Sequence, residues 1–214
     1  MIIISTPPVH TNGGVLIFKF RQMSIALLFE IIGTIIGILY LYYEYKANYM
    51  VWIMSAIMPL LSLYVYYESG LYADFGINIY YFLASIYGYI AWKCHRNKEQ
   101  SELPITHMPP SSYIPVIIST IIVFLLIYYV LTTYTDSNVA LLDTLTTALS
   151  IIAMWQLSRK YIEQWIVWLI VDIISVGLYI YKGIYFYASL YLVYSIVAII
   201  GYIHWKKLMN NDNN

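Results

Sequence analysis

The chain has 214 residues, of which 61% are hydrophobic and only 10% charged, with a mean hydropathy of +0.70. An ordinary globular domain carries about a quarter charged residues, so this chain cannot cover a water-facing surface and its composition specifies an all-α integral membrane protein. Eleven basic and eleven acidic residues balance to zero and leave no basic stripe for nucleic acid, while Cys94, the single cysteine, excludes an intrachain disulfide or a cysteine-built metal site.

Residues 1–23 hold Pro7-Pro8, Gly13-Gly14, Lys19 and Arg21 and read as an extracytoplasmic lead, since the apolar Met1–Ile4 is too short for a signal-peptide core. A helix needs about 20 apolar residues to cross the hydrocarbon core. Seven runs approach that length: Ser24–Tyr43, Met50–Tyr67, Tyr72–Trp92, Tyr113–Thr133, Val139–Leu157, Trp165–Tyr181 and Tyr185–Trp205. The segment Lys93 through Ser112 is polar, contains Pro104 and Pro109-Pro110, and is expected to be a linker rather than a helix. Many of the 25 tyrosines fall near span ends, Tyr40, Tyr42 and Tyr43 among them, and are assigned to interfacial aromatic belts. With seven spans, one side of the membrane receives three Lys and Arg residues and the other receives eight. The positive-inside rule then places the N-terminus outside and the C-terminus, with a tail from 208, in the cytoplasm.

The sequence repeats itself. A shift of 113 places Trp52 on Trp165, Ser62 on Ser175, Gly70 on Gly183, Tyr81 on Tyr194, Gly88-Tyr89-Ile90 on Gly201-Tyr202-Ile203 and Trp92 on Trp205. Without a gap, 13 of the 41 positions from Trp52 to Trp92 match their partners. The chain therefore divides into a first three-helix repeat, 24–92, a linker with the fourth span, 93–138, and a second repeat, 139–207. One intervening helix gives the repeats the same orientation. Such parallel repeats are related by an axis along the membrane normal and bind substrate between them. This 3+1+3 pattern is SWEET-like and points to a transporter.

The sharpest cluster is Trp165-Ile-Val-Trp168-Leu-Ile-Val-Asp172. Spacings of three and four put two indoles and a carboxylate on one helical face. An ionisable group near mid-span is costly and marks a functional site, and aromatic faces beside a carboxylate suit a flat organic cation. The shift mates of Trp168 and Asp172 are Ser55 and Pro59, so the halves differ where one asymmetric ligand would require it. Asn78 and Tyr81 share a face of the third span, Tyr194 is the mate of Tyr81, and Gln156 closes the fifth span; all are candidate substrate contacts, with helix–helix hydrogen bonding the competing role for Asn78 and an interfacial position for Gln156. Glu30 and Asp143 begin equivalent spans and are assigned to structure or an entry vestibule. Gly33-Thr-Ile-Ile-Gly37 fits close helix packing. The histidines His10, His95, His107 and His204 stand at no ligand spacing, and no Ser-His-Asp elbow, Walker loop or Rossmann fingerprint occurs. Neither an enzyme nor a resident cofactor is expected.

From about Ser24 to Lys207 the chain resembles the PnuC family of bacterial vitamin transporters. The resemblance rests on Gly70-Leu-Tyr-Ala-Asp74, Tyr87-Gly-Tyr-Ile-Ala-Trp92, Ser158-Arg-Lys160, Glu163-Gln-Trp165-Ile-Val-Trp168 and Tyr179-Ile-Tyr-Lys-Gly183. It implies seven helices in a SWEET-like fold in the bacterial inner membrane and facilitated diffusion of nicotinamide riboside, trapped by cytoplasmic phosphorylation. It also implies a homo-oligomer, a trimer. The family's W-x-x-W element maps onto Trp165 and Trp168, and its N-x-x-W element onto Asn78 and Tyr81, where tyrosine replaces tryptophan. Relatives of similar sequence, called PnuT, carry thiamine, which is likewise a flat cation. A SWEET-type sugar facilitator and a non-transporting membrane scaffold are the remaining alternatives.

Overall fold

The structure, a computed structural model, describes residues 32–68, 72–94, 103–134 and 139–212. The lead at 1–23, Glu30 and Gly70 lie outside them. The fold is helical: α1 over 32–45, α2 Met50–Glu68, α3 Tyr72–Cys94, α4 Tyr113–Tyr134, α5 Ala140–Ser158, α6 Gln164–Tyr181 and α7 Tyr185–Asp212. These elements follow the seven apolar runs. Among the described residues, four helices are long and apolar enough to cross a membrane, those around α4, α5, α6 and α7, and Met50–Tyr64 is a shorter apolar helix. The residues from 208, assigned to a tail, continue α7 to Asp212. Nothing after Lys207 breaks the helix, and Leu208 and Met209 pack against the aromatic core.

That core is a chain of four indoles. Trp52 meets Trp92 edge-on at 5.6 Å, Trp92 lies 6.5 Å from Trp205, and Trp205 meets Trp165 edge-on at 5.7 Å. Edge-to-face contact suits the ring quadrupole. The two edge-on pairs, Trp52–Trp92 and Trp165–Trp205, are shift mates of one another. Hydrogen bonds follow the same rule. Trp92 Nε1 donates to the carbonyls of Leu157 and Ser158 at the end of α5, at 3.2 and 3.1 Å. Trp205 Nε1 donates to the carbonyls of Glu44 and Tyr45 at the end of α1, at 3.0 and 3.2 Å. The acceptors are again 113 residues apart. Last-turn helical carbonyls have no intrahelical donor, and in an apolar setting an outside indole N–H supplies one. The turns that follow α1 and α5 each carry a non-glycine residue at positive φ, Ala47 at 51° and its mate Lys160 at 53°.

Two glycines permit this packing. A Cβ on Gly88 would overlap the Trp52 ring, and one on Gly201 would overlap the Trp165 ring. The glycines let each indole lie directly on the backbone of the neighbouring helix, which explains why both halves end in Gly-Tyr-Ile before their final tryptophan.

The described part of the linker, residues 103–112, is tied down more closely than its polar, Pro-rich sequence suggests. Thr106 N–H donates to the Lys160 carbonyl at 3.1 Å, and Ile162 N–H donates back to the Thr106 carbonyl at 3.0 Å. Glu163 accepts the Met108 N–H at 2.9 Å and pairs with His107 Nδ1 at 2.8 Å. Ile105 and Met108 of this strap are buried. The start of α6 is thereby held by the linker as well as by its own turn.

Replacing Gly88 or Gly201 by alanine is expected to destabilise the protein by about 1–3 kcal/mol each, the usual cost of overpacking. Gly76→Ala, where a Cβ meets nothing within 4 Å, is the control. Thermal unfolding in detergent reads the difference; equal melting temperatures for all three variants contradict the packing.

Candidate functional site

On α6 the side chains sort by the 3.6-residue period. Trp165, Val171, Asp172 and Ser175 are buried, whereas Ile166, Ile170, Ile173 and Ile180 are exposed on the opposite face. An isoleucine face suits lipid, and the inner face faces a cavity of about 420 Å³. That volume is in the range of small-molecule sites, about 300–1,000 Å³. The wall draws on α1, α2, α3, α5, α6 and α7.

From α6 come Trp165, Trp168 and Asp172; from α3, Tyr81; from α7, Tyr194. Five of the seven candidate contacts thus meet at one cavity. Asp172 is 5% exposed and sits at mid-helix, and no basic side chain among the described residues lines the cavity. Among the described residues the Trp168 indole N–H has no partner, which leaves a donor for a ligand. Asn78, which takes part in an interaction of its own, does not line the wall. Its mate Tyr191 does, in edge-on contact with Tyr194 at 5.7 Å. Gln156 is also outside the wall: it is buried beneath the linker strap, with Nε2 3.9 Å from the Met108 sulfur.

Trp165 is no belt residue, because it is 2% exposed and packed on Gly201 and Trp205. Its mate Trp52 does the same against Gly88 and Trp92. The asymmetry begins one turn deeper, where Trp168 and Asp172 on α6 oppose Ser55 and Pro59 on α2; all four line the cavity. Ser55 is itself occupied, bonding Ser85 at 2.8 Å and the Trp52 carbonyl at 3.0 Å. Pro59 has no N–H to return to the carbonyl of Ser55.

The largest contribution missed from sequence is α1. Gly33, Gly37, Tyr40 and Glu44 recur at spacings of four, three and four, and all line the cavity. Gly33 packs on Met58, but a Cβ on Gly37 would meet nothing within 4 Å, so Gly37 opens space rather than joining helices. Tyr40 is a wall residue, not an interfacial belt residue. Glu44, at the end of the apolar run, has the appearance of an interfacial charge, yet it is 2% exposed. The helical period of the four residues is the signal that could have found them. Asp143, by contrast, pairs with Lys182 at 3.4 Å, away from the cavity.

A bundle of apolar helices around an aromatic and acidic cavity defines a multi-pass membrane transporter for a small molecule. The model of the family described as nicotinamide mononucleotide transporter matches residues 27–207, and the chain belongs to that family. It is similar to the nicotinamide riboside transporter PnuC of Escherichia coli, 24% identical over 204 residues covering 82% of this chain and 84% of that one. The PnuC of Haemophilus influenzae is 28% identical over 185 residues, covering 85% and 80%. The fold matches a crystal structure of the vitamin B3 transporter PnuC with a TM-score of 0.64 at 21% identity, covering 95% of this chain and 94% of that chain.

Gly37→Leu is expected to fill the cavity while leaving the melting temperature within a few degrees, because the added side chain enters open space. Ligand binding at the cavity, followed by tryptophan fluorescence, should be lost; a variant that binds as the wild type does places the ligand elsewhere.

Proposed function

We propose that the protein takes up nicotinamide riboside by facilitated diffusion across the bacterial inner membrane, and that cytoplasmic phosphorylation of the product makes uptake one-way. The observation that carries this reading is the pairing of Trp168 with Asp172 in the cavity wall. A pyridinium is a flat cation. It gains from an aromatic face and from a carboxylate that replaces its water in a low-dielectric site. The names of the relatives agree with this chemistry. Thiamine, whose thiazolium has the same charge and flatness, is the second reading, favoured by tyrosine at position 81 where the family's element has tryptophan.

Two parallel three-helix units, α1–α3 and α5–α7, would rock about the cavity to alternate its access. The matched tryptophan bonds at a shift of 113 support this 3+1+3 arrangement. The N-terminus lies outside and the C-terminus in the cytoplasm, by the distribution of Lys and Arg. The protein acts as a carrier and not as an enzyme. It assembles as a homo-oligomer, a trimer by resemblance; α4, which packs on α5 and buries none of its own residues, offers an apolar surface for such contacts.

Binding of nicotinamide riboside, thiamine and a monosaccharide to the purified protein tests the reading. Nicotinamide riboside is expected to bind, and the monosaccharide is not. Asp172→Asn should weaken the cation about 10-fold or more, equivalent to about 1.4 kcal/mol, and Trp168→Ala should cost a similar factor through the lost ring contact. Unchanged affinity in Asp172→Asn contradicts the counter-ion role, and preference for thiamine selects the second reading.

A further inference from the structure

Two carboxylates line the cavity, and a monocation needs one. Glu44 is 2% exposed, and among the described residues its Oε1 has no hydrogen-bond partner. No Lys, Arg or His among the described residues contributes to the cavity wall. A buried carboxylate oxygen left without a donor is costly, so Glu44 has an acceptor to offer a ligand.

The neighbours of Glu44 indicate what that ligand must offer. Tyr40 and Gln164 are side-chain hydrogen-bond partners of its carboxyl. Gln164 is fully buried, and its Oε1 finds no partner among the described residues. The indole N–H groups of Trp165 and Trp168 are unpaired as well. Unmet acceptors and unmet donors thus occur together. A hydroxyl donates and accepts through one atom, so hydroxyls can give a proton to Glu44 while taking one from an indole. A second cationic group would meet only the acceptors and leave the donors unpaired.

The two carboxylates are near enough for Asp172 to act on Glu44 through its charge, but they stand at different levels of the wall. Glu44 is beside Gln164, and Asp172 follows Gln164 by eight residues, a rise of about 12 Å along the helix. The wall therefore offers its acceptors at two levels of α6, which suits a molecule of two linked rings. Resting on the nicotinamide riboside reading, we propose that Glu44 determines specificity by accepting hydrogen bonds from the vicinal hydroxyls of the substrate's sugar, with Gln164 as its positioning residue. Asp172 and Trp168 hold the cationic ring. Glu44 has Leu157 as its shift mate, so this second polar level, like the first, belongs to one half only.

The test compares nicotinamide riboside with 1-methylnicotinamide, which keeps the pyridinium and lacks the sugar, on the full-length protein in detergent. Glu44→Gln is expected to weaken nicotinamide riboside about 10-fold and to leave 1-methylnicotinamide unchanged; Glu44→Asp, which keeps the carboxyl group but shortens the reach, should show the same split. Unchanged 1-methylnicotinamide binding also reports that the variants are folded. Equal weakening of both ligands in both variants, or no weakening of either, overturns the assignment while the nicotinamide riboside reading stands. A wild-type protein that binds neither ligand overturns that reading, and the assignment with it.

Discussion

The structure depends on a reciprocal contact: the last tryptophan of each half donates its indole N–H to the open carbonyls that end the first helix of the other half. In an apolar environment those carbonyls have no water to turn to, so a donor from outside the helix is strongly favoured. Trp92 serves the end of α5, and Trp205 serves the end of α1. Each indole stacks edge-on against a second tryptophan, and each of those rests on a glycine. One end of the bundle is thus tied by side chains that recur at a fixed shift, and α3 and α7 cross from one half to the other there.

The cavity lies next to this aromatic core and breaks its symmetry. Trp165 belongs to both, packed like its mate Trp52 while presenting an edge to the cavity. Trp168 and Asp172 replace Ser55 and Pro59, and Glu44 replaces Leu157. The packing residues match at a shift of 113, whereas the inward positions differ and place Glu44 and Asp172 in an aromatic wall. Packing and cavity overlap at Trp165 and at Tyr81 and Trp168, which pack against the tryptophan core, whereas Asp172 and Glu44 line the cavity without belonging to that cluster.

Most of the architecture was legible in the sequence because hydrocarbon imposes a length on apolar runs and because the repeat survives at glycines and tryptophans that packing fixes. The α6 contribution was equally legible, since Asp172 is an isolated charge within an apolar run. Glu44 was hidden because a carboxylate near a span end is ordinarily wet, and only the position of the neighbouring helices shows that it is buried. Tyr40 was hidden by abundance: among 25 tyrosines, no single one distinguishes itself. Asn78 is a polar residue in an apolar run just as Asp172 is, but pointing away from lipid need not mean facing the cavity. The strap over Gln156 depends on strand-like pairing between residues 106 and 161, a contact too distant in sequence to be read from local pattern.

The central claim is that this chain alone carries a cationic nicotinamide nucleoside through the cavity between its halves. Uptake of radiolabelled nicotinamide riboside into proteoliposomes that contain only this protein measures it most directly. The account predicts saturable uptake that unlabelled nicotinamide riboside competes away and a monosaccharide does not. Uptake no greater than in protein-free liposomes would contradict it.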